Sequence, residues 1–131
     1  SELPDMMELA SRFDRRIVVE GAIDARELEV AVLGNDEPVA SVAGEIVPDD
    51  EFYSYAAKYI SEGSRLLIPA PIDPDTMIDA QELAIAAFRA LDLAGMARVD
   101  FFLDRTTDQL FINEVNTIPG FTSISMFPLL W

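Results

Sequence analysis

The chain has 131 residues, half of them apolar, and a formal net charge of −15. That length and apolar content suit one domain with a real core, and they exclude a disordered chain. The charge disfavours nucleic acid and anionic membrane surfaces as partners. There is no Cys and no His, so disulfides, thiol nucleophiles, His-based triads and the usual zinc sites are excluded. No run approaches the roughly 18 apolar residues of a membrane span, and the start does not read as a signal peptide. The cytoplasm is the expected compartment.

In chain order, Asp5 to Phe13 reads as a helix. Ile17 to Glu20 reads as a short strand, Gly21 to Ala25 as a turn, and Glu27 to Leu33 as a second strand. In that strand Leu28, Val30 and Val32 share one face, and Glu27, Glu29 and Ala31 the other. Gly34 to Pro38 is a turn by composition, and Val39 to Val47 is a third strand bounded by Pro48. Asp49 to Gly63 carries all three tyrosines and Lys58, the only lysine. Its simplest reading is a surface loop pinned by aromatics. Any task that needs a compact ammonium, however, falls to Lys58.

Arg65 to Pro69 reads as a fourth strand, followed by a proline-rich connector to Pro74. Asp75 or Thr76 is the expected cap of a helix whose core face is Ala80, Ala84, Ala87, Phe88 and Leu91, with Gly95 ending it. Arg98 to Leu103 and Leu110 to Val115 then read as two strands around the polar turn Asp104 to Gln109.

This last hairpin carries the chemistry. Residues two apart in a strand share a face, so Arg98 points with Asp100, and Glu114 with Asn116. If Leu103 pairs with Phe111, Asp100 lies opposite Glu114, and Arg98 opposite Asn116. Facing carboxylates repel unless something positive sits between them. Hard oxygens of this kind suit Mg²⁺, and a neighbouring Arg can grip a phosphate as a fork. The plainer alternative is an acidic, solvated face. The continuation adds a sharp Pro119-Gly120 turn and the hydroxyls of Thr122, Ser123 and Ser125, which together could line a pocket for phosphate or carboxylate.

Arg98-Val-Asp100-Phe-Phe-Leu followed by Glu114-Val-Asn116-Thr-Ile-Pro-Gly120-Phe-Thr-Ser-Ile-Ser125 resembles the metal-binding signature of D-alanine–D-alanine ligases, within the ATP-grasp superfamily. The resemblance implies an α+β fold: the ATP-grasp C-terminal domain, a mainly antiparallel sheet packed with helices. It further implies that residues 1–16 end the central subdomain and that 17–131 form the C-terminal domain, cut before its last helix. The first domain is then absent, and the chain alone is expected to be inactive.

By the same resemblance, Asp100, Glu114 and Asn116 hold two Mg²⁺ ions (or Mn²⁺), with Glu114 bridging them. Arg98 and the backbone N–H of Gly120 stabilise charge at the reacting carboxyl carbon, and Ser125 holds the carboxylate of the second D-alanine. Val18-Val-Glu20-Gly-Ala-Ile23 and Glu27-Leu-Glu-Val resemble the family's nucleoside grip. There Glu20 meets the adenine amino group, the backbone of Ile23 meets the ring, and Glu27 binds the ribose hydroxyls. Ala57-Lys58-Tyr59 resembles the mobile lid, with Lys58 on the transferred phosphoryl group and Tyr59 closing over the second amino acid. The chain departs from many members at Ala56 (Glu there) and Ile124 (His there). The implied ligands are ATP and D-alanine, for peptidoglycan precursor synthesis in a bacterial cytoplasm, with neither nucleic acid nor membrane as partner. A homodimer of the full-length protein is a further expectation. Other ATP-grasp ligases, including D-alanine–D-lactate ligases, and a non-enzymatic acidic ion-binding domain are the competing readings.

Overall fold

The computed structural model describes residues 2–48 and 64–131. Lys58, Tyr59, Ala56 and the expected loop around them lie outside the described residues. Among the described residues the elements are α1 (Leu3–Ser11), β1 (Ala25–Gly34), β2 (Val39–Pro48), β3 (Ser64–Leu67), α2 (Pro74–Ala90), β4 (Gly95–Asp104), β5 (Leu110–Asn116) and α3 (Met126–Leu129). The five strands form one sheet in the order β3-β2-β1-β4-β5, with every pairing antiparallel. This is the α+β architecture expected.

Period-2 alternation gives the sheet two distinct faces. On one, Leu28, Val30 and Val32 of β1 join Ala97, Val99, Phe101 and Leu103 of β4. Ala80, Ala84 and Phe88 pack onto them from α2, four residues apart and therefore on one stripe. Phe88 and Phe101 are fully buried, each contributing about 2–3 kcal/mol by removal from water. Across the same face, Arg26 forks Glu45 at 2.8 and 2.6 Å and donates to the Pro71 carbonyl at 3.1 Å. Hydrogen bonding to Glu45 raises the Arg26 pKa above its ordinary value, against the opposing effect of burial.

Four local expectations are corrected. Ile17 to Glu20 is not a strand; residues 15–24 have no regular structure, and Val18 and Val19 are exposed. The reason is topological: β2 and β4 occupy both sides of β1, so no edge is left for a hairpin partner there. The cap of α2 is Asp73, ahead of the expected Asp75 or Thr76. Its carboxylate accepts the N–H groups of Asp75 (3.1 Å) and Thr76 (2.9 Å), while Pro74 takes the first turn, where a missing N–H costs nothing. The helix ends before Gly95: Leu91 is the C-cap and lies exposed, Asp92 adopts φ 52°, and Gly95 (φ 85°) opens β4. Finally, Leu103 pairs with Leu110, where Phe111 was expected, because a bulge leaves Asn113 without a partner residue on β4.

Hydrogen bonds from Thr76 and the backbone hold the Asp73 carboxyl below its ordinary pKa. A depressed carboxyl stabilises the fold above the unfolded pKa of about 3.9, and that contribution disappears as pH falls through the folded value. Asp73→Ala is therefore expected to lower the thermal midpoint at neutral pH. The gap to the parent should narrow below about pH 4, as read by circular dichroism.

Candidate functional site

The second face of the sheet holds the polar cluster. Antiparallel register aligns Gly44, Glu29, Asp100 and Glu114 across β2, β1, β4 and β5. The adjacent row is Ala31, Arg98 and Asn116. Both predicted juxtapositions, Asp100 with Glu114 and Arg98 with Asn116, are therefore present, because the bulge lies on the turn side of them.

Arg98 is the centre of charge. Its Nε and Nη2 donate to the two Asp100 oxygens at 2.7 and 2.8 Å. The same Nε lies 3.1 Å from Oε2 of Glu29. The hydrogen bonds to Asp100 raise the Arg98 pKa above its ordinary value; burial opposes them, and the charges of Glu29, Asp100 and Glu114 add to the rise. The guanidinium is thus fixed as a cation on this face. Glu114 is exposed and Asn116 half-buried. The Asn116 amide oxygen accepts the Ile118 N–H at 3.1 Å, which starts the turn after β5.

That turn brings the hydroxyls back. Ser125 Oγ accepts the Thr122 N–H at 3.0 Å and lies 2.8 Å from Thr122 Oγ1. A Cβ on Gly120 would meet Ser125 Oγ at 2.9 Å, so the glycine is what lets the serine close on the turn. Beyond Ser125, α3 packs Met126, Phe127 and Leu130 on Ala31. Gly44 makes this approach possible, since a Cβ there would meet Leu130 Cδ2 and Met126 Sδ at 2.9 Å. Gly44→Val is expected to displace α3 at a cost of about 1–3 kcal/mol. The Phe121–Phe127 ring contact (5.8 Å between centroids) should break with it, moving the aromatic proton shifts in an NMR spectrum.

Glu27 lies on the same face as Glu29, two residues away in β1, in the row with Phe102 and Phe111. Glu20 and Ile23 sit on the irregular segment before β1, and both are exposed. Its carbonyl at Asp24 accepts the Arg105 N–H at 2.9 Å, tying it to the β4–β5 turn. Sequence reasoning missed Glu29 and Gly44. The alternation Glu27-Leu28-Glu29 put Glu29 on the polar face, but only the strand order puts it opposite Asp100.

Among the described residues, no group of three or more His, Cys, Asp or Glu side chains converges on one point. Two carboxylates on paired strands and the Asn116 amide oxygen do supply hard donors of the kind Mg²⁺ and Mn²⁺ prefer. Both Asp100 oxygens are engaged by Arg98, yet a carboxylate oxygen carries lone pairs for two partners. The chemistry of the set fits the ion.

Solved structures share this fold. The D-alanine-D-alanine ligase from Coxiella burnetii superposes with a TM-score of 0.83 at 38% identity, over 99% of this chain and 33% of that one. The VanG D-Ala:D-Ser ligase from Enterococcus faecalis superposes with a TM-score of 0.82 at 39% identity, over 98% of this chain and 37% of that one. The fold is that of the C-terminal ATP-grasp domain of such ligases. The model of the family described as "D-ala D-ala ligase C-terminus" matches residues 1–131, and the chain belongs to that family. Similar curated relatives include the D-alanine–D-alanine ligases of Thermoanaerobacter pseudethanolicus (60% identical over 99% of the chain) and Heliobacterium modesticaldum (58% over 100%). The chain spans 36% of the length of each.

Proposed function

We propose that this chain is the part of an ATP-dependent ligase that handles phosphoryl transfer and the acceptor amino acid, joining two D-alanines through an acylphosphate. The observation that carries the reading is Arg98 held as a fixed cation beside Asp100 and opposite Asn116, on a face that also bears Glu114 and Glu27. Carboxylate and amine do not condense unaided in water. Transfer of the γ-phosphoryl of ATP to one D-alanine carboxylate creates a leaving group, and the amine of the second D-alanine displaces it. Such transfer needs charge neutralisation and alignment more than a protein nucleophile, which suits a chain without Cys or His.

Asp100, Glu114 and Asn116 would hold Mg²⁺ or Mn²⁺, which supplies charge neutralisation on the phosphates when bound. Arg98 and the Gly120 N–H orient and stabilise the oxyanion of the tetrahedral intermediate. Ser125, already ordered by Thr122, receives the carboxylate of the acceptor. Glu27 suits the ribose diol, because a carboxylate accepts from two hydroxyls at once. Glu20 and the Ile23 backbone serve the adenine end, and Lys58 and Tyr59 close over the phosphoryl group and acceptor. Residues 1–16 belong to the central subdomain, and the working enzyme resides in the bacterial cytoplasm, supplying a peptidoglycan precursor.

The likeness to a D-Ala:D-Ser ligase makes the acceptor the point to test. With the full polypeptide, Mg²⁺, ATP and D-alanine, ADP release with D-alanyl-D-alanine as the product by mass spectrometry is expected. ADP release only when D-serine or D-lactate is added would keep the chemistry and overturn the acceptor. No nucleotide consumption with any of these would overturn the ligase reading.

A further inference from the structure

The proposed reaction leaves one charged side chain of this face without a task. Glu29 lies in the central strand β1 opposite Asp100, with only 6% of its surface exposed. Its neighbour across β2 is Gly44, over which Met126 and Leu130 pack, and the next residue on its face is the fully buried Ala31. A carboxylate in such surroundings is costly unless paired, and an apolar residue of similar size usually serves stability as well or better. Its Oε2 lies 3.1 Å from the Arg98 Nε, which donates to Asp100 Oδ1 at 2.7 Å. The N–H itself goes to Asp100, and Glu29 is an ion-pair neighbour of the same nitrogen, so one guanidinium nitrogen lies between two carboxylates.

That placement matters because Asp100 is contested. In the reading above it serves both the Arg98 fork and a divalent cation. A cation that draws on the Asp100 oxygens weakens their hold on the guanidinium, and a long side chain released from its fork regains rotamer freedom. We propose that Glu29 is a positioning residue: it retains the Arg98 guanidinium on the site face when Asp100 engages the cation. The inference rests on Asp100 being a cation ligand.

Proton exchange of the Arg98 Nε–H, followed by NMR on the arginine-labelled chain with and without Mg²⁺, tests this. The Asp100 and Glu114 carboxyl carbon signals report cation binding in the same samples. The parent is expected to stay protected in both conditions. Glu29→Gln should stay protected without Mg²⁺ and exchange about tenfold faster or more with it, because the amide oxygen left in place carries no charge to hold the guanidinium. Glu29→Asp keeps the charge but withdraws it by one methylene, and should give a smaller loss in the same direction, again only with Mg²⁺. Equal loss of protection with and without Mg²⁺ would make Glu29 a purely structural ion-pair partner and overturn the proposal. Unchanged protection in both conditions would overturn it too. If Mg²⁺ leaves the Asp100 and Glu114 signals unmoved, the metal assignment itself falls and takes the inference with it.

Discussion

Arg98→Met in the full polypeptide is expected to cost both activity and stability. On activity, the variant loses the one guanidinium fixed beside the proposed metal carboxylates. Removing a preorganised donor to a developing oxyanion lowers kcat by about 10²–10³-fold. On stability, Met fills a similar volume but leaves Asp100 and Glu29 facing each other across β4 and β1 with their shared cation gone. Breaking a buried pair on one side costs about 3 kcal/mol or more. Steady-state kinetics and a urea unfolding midpoint would check the two effects separately. A variant with normal stability and normal kcat would show that the fork is neither catalytic nor structural.

Asp100→Asn and Glu114→Gln separate those effects. Arg98 keeps its contact with Glu29 in both variants, so unfolding midpoints should move far less than in Arg98→Met. Turnover should collapse instead. A metal ion contributes several kcal/mol of charge stabilisation, on the order of a thousandfold in rate. Mn²⁺ affinity, read by electron paramagnetic resonance, should fall in parallel. Unchanged Mn²⁺ binding in Asp100→Asn would remove that residue from the cation site, whatever happened to the rate.

The two variants touch the part of the molecule that was most legible from the chain. Alternation alone places Arg98 with Asp100 and Glu114 with Asn116, and the pairing expected from the sequence sets each opposite the other. The pairing was right at the site and one residue wrong at the turn, where Leu103 meets Leu110. Nothing in the composition of Leu110 to Val115 signals that Asn113 bulges; its neighbours continue a β-rich run. Glu29 was invisible for a different reason. Its partner lies some seventy residues further on, and only the closing of β4 onto β1 makes them neighbours. Ile17 to Glu20 shows the converse failure, a good local β pattern without an edge to join. At α2 the capping chemistry was legible, but Asp73 takes it because Pro74 suits the first helical position, so the helix starts ahead of Asp75.

Among the described residues the sheet carries two guanidinium–carboxylate forks of nearly the same length, one on each face. Arg26 and Glu45 belong to different strands, so their fork crosslinks β1 to β2, and opening it would loosen the sheet. Arg98 and Asp100 belong to one strand, two residues apart. Their fork spans no seam, and no ladder hydrogen bond depends on it. Opening it leaves every strand where it is, so a cation taking up the proposed site at Asp100 would demand side-chain rotation only. The first fork works as a rivet and the second as a latch, although the same two chemical groups make both.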